Sequence, residues 1–154
     1  MTSRVKFQSL LMTLTLVCCA LAQETPGVLY GTWTATAGPS QVLRGLWSAA
    51  ISARTPNTAQ GSWTLLNDSG EVALSGTWSA KKTHSSWQGT WSARSAPGGS
   101  FSGTWDADIS GTKDKTFVDM LSRTLEKEIA GSWLSGRHRG NWWLKGLKPK
   151  KPVQ

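Results

Sequence analysis

The tripeptide Gly-x-Trp occurs eight times in this chain of 154 residues, at Gly31/Trp33, Gly45/Trp47, Gly61/Trp63, Gly76/Trp78, Gly89/Trp91, Gly103/Trp105, Gly131/Trp133 and Gly140/Trp142. The first six Gly are separated by 14, 16, 15, 13 and 14 residues, and the step from Gly103 to Gly131 is 28, twice the usual period. A period near 14 is too short for most solenoid repeats. It suits one strand plus a tight turn, repeated along the chain.

Alternate residues of a strand share a face, and every repeat obeys that rule with Gly and Trp on the apolar side. Leu29, Gly31, Trp33 and Ala35 fall on one face, as do Leu43, Gly45, Trp47, Ala49 and Ile51. Phe101, Gly103, Trp105, Ala107 and Ile109 repeat the pattern, while the intervening positions are mostly Ser, Thr, Gln, Lys, Arg and Asp. One apolar face and one wet face is the signature of an antiparallel sheet. The expected strands number eight, six in a meander and two at the end, closing into a shallow up-and-down barrel because closure alone removes both edges.

The pairing register follows from the Gly. A Gly inside a strand packs nothing, and an aromatic ring on the next strand can cover it. Placing each Gly opposite the next strand's Trp fixes the centre of every hairpin. Gly31 with Trp47 centres a turn on Pro39, Gly61 with Trp78 on Ser69 and Gly70, Gly89 with Trp105 on Pro97, and Gly131 with Trp142 on Gly136 and Arg137. These are Gly or Pro sites suited to turns. Gly45 with Trp63 falls on Arg54, and Gly76 with Trp91 falls between Thr83 and His84. The Trp then form two layers, one from odd strands and one from even, each alternating with Gly around the barrel.

The double-length gap contains Phe117, Leu121, Leu125 and Ile129 at four-residue spacing, with Val118 and Met120 beside them. This predicts an amphipathic helix over about 114–127, between strands six and seven, with Thr112, Asp114 or Thr116 as N-cap. Its apolar face is expected to cap one barrel mouth.

Residues 1–22 read as a secretory signal peptide: Arg4 and Lys6, the apolar run "FQSLLMTLTLV", then "ALA" before Gln23. Lipidation at Cys18 or Cys19 is the less favoured reading. Removing the leader leaves no Cys, so the barrel, 23–146, relies on its core and not on disulfides. It also removes two cations and takes the formal net charge from +8 to +6. The remaining excess lies late: Arg137, Arg139, Lys145, Lys148, Lys150 and Lys151 follow Ile129 with no acid among them. Residues 147–154, rich in Pro and Lys, read as a basic disordered tail.

The first-strand "GTW" is similar to the opening of avidin-like and lipocalin-like eight-stranded barrels, which do not repeat it in every strand. Its recurrence strand after strand more closely resembles the shallow antiparallel barrels called β-flowers, found in bacterial secreted proteins and lipoproteins. That resemblance spans 28–146 and implies a fold and a cell-envelope setting; it brings no catalytic residue and no ligand.

No constellation of catalytic residues is legible. His84 and His138 lie at predicted turns without partners at metal-ligand spacing. Asp106 and Asp108 share the wet face of one strand and read as solubility, not as carboxylates across a cleft. No nucleophile elbow, phosphate loop or dinucleotide fingerprint occurs. The expectation is a non-enzymatic protein without cofactor or metal. The eight repeat Trp read as core, whereas Trp143 points outward beside Arg139 and Lys145 and is the leading candidate for a surface contact. The expected function is a secreted or periplasmic binding module, contacting an anionic envelope surface, a glycan or a protein through barrel-end loops, Trp143 and the basic tail. No specific nucleic-acid partner is expected, and any membrane contact is expected to be peripheral. A carrier of a small apolar ligand and an eight-stranded outer-membrane barrel are the alternatives.

Overall fold

Consecutive strands pair with one another around a complete ring, so that the first and last also meet. The computed structural model describes residues 27–52, 54–83, 86–95, 98–107 and 116–148. They form β1 (Gly27–Ala37), β2 (Gln41–Ile51), β3 (Thr58–Leu66), β4 (Val72–Lys82), β5 (Trp87–Ser95), β6 (Gly99–Ala107), α1 (Phe117–Arg123), β7 (Ile129–Ser135) and β8 (His138–Gly146). The strands close in sequence order into an antiparallel barrel. The expected leader, His84, Pro97, Asp108, Ile109, Thr112, Asp114, Lys150 and Lys151 lie outside the described residues.

Within each hairpin the Gly–Trp register is reciprocal. Gly31 faces Trp47 and Trp33 faces Gly45 across β1 and β2. Gly61 faces Trp78 and Trp63 faces Gly76 across β3 and β4. Gly89 faces Trp105 and Trp91 faces Gly103 across β5 and β6. Gly131 faces Trp142 and Trp133 faces Gly140 across β7 and β8. The turns follow: Gly38 and Gly70 both adopt positive φ, 68° and 83°, a region that favours residues without a Cβ.

Between hairpins the expected register fails. Gly45 does not face Trp63 but Leu65, and Trp47 faces Trp63 instead. Gly76 faces Ala93, leaving Trp78 opposite Trp91. Trp105 likewise faces Trp133 across β6 and β7. So the four hairpins repeat one reciprocal pattern, and the seams between them are offset by two residues from the continuous alternation that the sequence suggests.

The Gly explain the offset, because each has a backbone carbonyl where a side chain would stand. A Cβ on Gly31, Gly45, Gly61, Gly76, Gly89, Gly103, Gly131 or Gly140 would collide with a carbonyl oxygen: Lys145, Thr64, Ser48, Ser92, Ser79, Leu134, Asp106 or Thr36 respectively. Each carbonyl belongs to the strand across a seam. The hairpin partner's indole then lies over the same Gly. Trp33 beside Gly45 and Trp105 beside Gly89 are examples.

The indoles also hold the seams. Trp33 Nε1 donates to Thr64 O at 3.0 Å, and Trp78 Nε1 to Ser48 O at 3.0 Å. Trp105 Nε1 donates to Ser79 O and Trp133 Nε1 to Thr36 O, each at 3.0 Å. Trp47 Nε1 reaches Lys145 O at 3.2 Å, across the seam where β8 meets β1. Each bond runs from one strand, over a Gly, to a strand two places away. Trp142 differs and donates to Ser132 O, while Trp63 Nε1 is buried without an acceptor among the described residues.

The two expected Trp layers are present. Odd-strand indoles meet edge to face, Trp33 with Trp63, Trp63 with Trp91, and Trp91 with Trp133. Even-strand indoles do the same, Trp78 with Trp105 and Trp105 with Trp142. The even layer joins the main core. There Trp47, Trp87, Phe117, Met120, Leu121 and Ile129 are buried, with Ala49, Ala59, Ala80 and Ala107 filling the smaller gaps.

The helix closes that end, but it is shorter than the expected 114–127. Thr116 is the N-cap and forms a capping box with Asp119, settling the choice among three candidates. Phe117 stacks on Trp78 and meets Trp87 edge-on at 4.5 Å, while its N–H donates to Pro56 O in the β2–β3 loop. The regular helix stops at Arg123. Thr124 O accepts the N–H of Gly146, so the chain is already docked on β8. Leu125 then packs over Gly146, and Ile129 opens β7 instead of a further helical turn. Tertiary contact, not loss of helix-forming residues, ends the helix.

Candidate binding face on the outer wall

Since the repeat Trp turn inward, the outer wall is made by residues of the opposite parity. Across β3 to β6 this wall presents hydroxyls, and they pair along the β4–β5 seam. Thr77 and Ser92 lie 3.1 Å apart, and Ser79 and Thr90 lie 2.9 Å apart. Ser62, Ser102 and Thr104 extend the hydroxyl surface, and Ser48 on β2 meets Ser62 at 2.8 Å.

The wall of β8, β1 and β2 has a different chemistry. Arg139, Asn141, Trp143 and Lys145 occupy its outward positions on β8. Trp143 faces Thr34 on β1 and Ala130 on β7, and it is half-buried, its ring supported by small neighbours. Lys145 faces Thr32, and the N–H of Leu147 donates to Tyr30 O at 2.9 Å, continuing the ladder beyond β8. Leu46 faces Thr32 from the other side. Val28, Tyr30, Leu46 and Leu147 are 40% to 63% exposed. They form one patch of directly opposed and diagonal neighbours, with Lys145 inside it and exposed Lys148 at its edge.

Sequence reasoning located Trp143, Arg139 and Lys145 on this wall, and the structure aligns them. It separates Arg137, which sits in the β7–β8 turn at the end opposite the helix. Lys148 lies at the helix end, past Gly146. The tail boundary also moves, because Leu147 still bonds to β1. Val28, Tyr30, Leu46 and Leu147 were missed. Their signal was in plain view: apolar residues at positions the alternation assigns to water, including the only apolar middle residue in a Gly-x-Trp tripeptide, Leu46.

The other described sequence candidates, Asp106 and His138, lie apart from this wall. Asp106 accepts a hydrogen bond from Ser132 Oγ across the β6–β7 seam. His138 opens β8 at the rim and is exposed. No group of three His, Cys, Asp or Glu among the described residues is placed to hold a metal ion. The repeat Trp fill the barrel, with most of their N–H groups already committed to carbonyls. At the end opposite the helix, Leu65 faces Leu74 and Ala93 faces Phe101, whose ring is 52% exposed.

Compared with known proteins, the chain matches no family model, no curated protein and no solved structure.

Proposed function

We propose that this protein is a secreted, non-enzymatic binding module that contacts a polyanionic partner at the cell envelope through the outer wall of β8, β1 and β2. One observation carries the reading: Arg139, Lys145 and Lys148 gather on this wall around the half-buried Trp143, while the wall of β3 to β6 presents mainly hydroxyls, with Lys81 and Arg94 as its outward cations. Surface charge of one sign raises the encounter rate with the opposite sign, and an aromatic ring beside it adds desolvated contact area. Lys148 and the further lysines of the C-terminus extend the field beyond the barrel. Localisation rests on the leader and the envelope setting on the β-flower resemblance.

The test is binding of residues 23–154 to an immobilised sulfated polysaccharide across salt concentrations. Truncation after Lys148 preserves the bond from Leu147 to Tyr30 and removes Lys150 and Lys151. Weaker binding of the truncated chain at low salt, converging with the intact chain at high salt, is expected. Equal binding at all salt concentrations removes the tail from the site.

A carrier function is the second reading, favoured by Phe101, Leu65 and Leu74 at the end opposite the helix. Native mass spectrometry of the purified chain decides it: a bound apolar mass supports a carrier, and bare protein argues against one. An outer-membrane barrel suits the structure less, because indoles face inward and hydroxyls cover much of the wall that lipid would touch.

A further inference from the structure

We infer that the partner of the β8–β1–β2 wall is the surface of an anionic lipid bilayer, on which the barrel lies with this wall against the headgroups. This rests on the proposed polyanion contact and names its source. Three features favour a bilayer over a soluble polyanion.

The first is the proportion of apolar to charged contact. A chain of anionic groups needs cations, and Arg139, Lys145 and Lys148 supply them. Val28, Tyr30, Leu46 and Leu147 have no use in that contact, yet they are exposed on the same wall. At a membrane interface the same residues enter the boundary between headgroup and acyl chain, and the cations lie over the anionic headgroups.

The second is the type of aromatic residue. Tyr30 and Trp143 have apolar rings and polar atoms, the combination enriched at headgroup depth. The outward positions of β3 to β6 carry neither type among the described residues.

The third is where the barrel begins and stops along the chain. Gly27 begins β1 and Lys148 follows β8, so the described barrel starts and stops beside the patch, on adjacent strands. The lysines beyond Lys148 therefore start next to the surface they would contact. A tethered basic segment adds to binding when it begins where the first contact is already made.

The experiment uses residues 23–154, which contain the whole barrel and no native Cys, so one introduced Cys can carry an environment-sensitive fluorophore. Leu147→Cys places the probe in the patch, and Ser92→Cys places it on the hydroxyl wall. Co-sedimentation is measured with vesicles of phosphatidylcholine alone and of phosphatidylcholine mixed with phosphatidylglycerol, and binding to dextran sulfate is measured in parallel. The expected result is binding to anionic vesicles at least about tenfold tighter than to neutral ones, with a blue shift at position 147 and none at 92. The double substitution Val28→Ser and Leu147→Ser, both at exposed positions, is expected to weaken vesicle binding and leave dextran sulfate binding unchanged. Binding to dextran sulfate without vesicle binding overturns the bilayer inference and leaves the polyanion reading standing. Binding to neither overturns both. Equal shifts at 147 and 92 also overturn the inference, since the wall would then have no preferred orientation.

Discussion

Trp105 donates its indole N–H to the carbonyl of Ser79 at 3.0 Å, although their strands, β6 and β4, are separated by β5. The bond passes over Gly89, where a Cβ would strike that same carbonyl and the indole nitrogen. Gly and Trp are thus two halves of one device: the Gly lets a carbonyl turn toward the interior, and the Trp supplies its donor. A buried carbonyl without a donor costs free energy, so at this position each half supports the other.

Gly89→Ala is therefore expected to destabilise the barrel by about 2–3 kcal/mol, the upper part of the range for overpacking. Gly38→Ala is a useful contrast. Gly38 has open space around it, so the penalty there is about 1 kcal/mol, from its positive φ alone. Urea denaturation of the two variants checks the order.

Trp105→Phe keeps an aromatic ring but leaves the Ser79 carbonyl without its indole donor. The expected loss is about 1–3 kcal/mol. Trp105→Ala also opens a void beside Trp78 and Trp142 and is expected to cost about 3–5 kcal/mol. Chemical denaturation separates them, and the aromatic variant should retain the larger share of stability.

The helix makes a separate prediction. Thr116→Ala removes the side-chain half of the capping box and is expected to cost about 1 kcal/mol. Phe117→Ala removes a fully buried ring from between Trp78 and Trp87 and is expected to cost about 3–5 kcal/mol. Near-ultraviolet circular dichroism should report the second change more strongly than the first, since only Phe117 touches indoles.

Trp143→Ser tests the outer wall. The ring is half-buried against Ala130 and Thr34, so the expected stability loss is below about 1.5 kcal/mol, less than that of Trp105→Ala. Binding to an anionic surface is expected to fall several-fold. Unchanged binding would assign Trp143 to packing alone.

Much of this architecture was legible from side-chain parity. The alternation of Leu29, Gly31, Trp33 and Ala35 with polar residues placed the inner face correctly, and reciprocal Gly–Trp pairing gave the hairpin registers. The seams were not legible because the partner of Gly45 there is the carbonyl of Thr64, and a carbonyl has no residue-specific signal. The length of α1 was misjudged for a related reason: Thr124, its C-cap, gives its carbonyl to the N–H of Gly146, remote in sequence. On the outer wall, Trp143 was visible as an aromatic residue out of phase. Tyr30 and Leu147 are also out of phase, and the closure of β8 against β1 places them side by side.

The seam between β8 and β1 repeats the chemistry of the seams inside the chain. Trp47 crosses Gly31 to Lys145, and Trp133 crosses Gly140 to Thr36, as Trp78 crosses Gly61 to Ser48. The ring therefore has no privileged starting point: the place where the polypeptide begins is an accident of connectivity. Joining the ends beside Tyr30 and Leu147 and cutting at the turn near Gly38 would thread the same ring from a different opening.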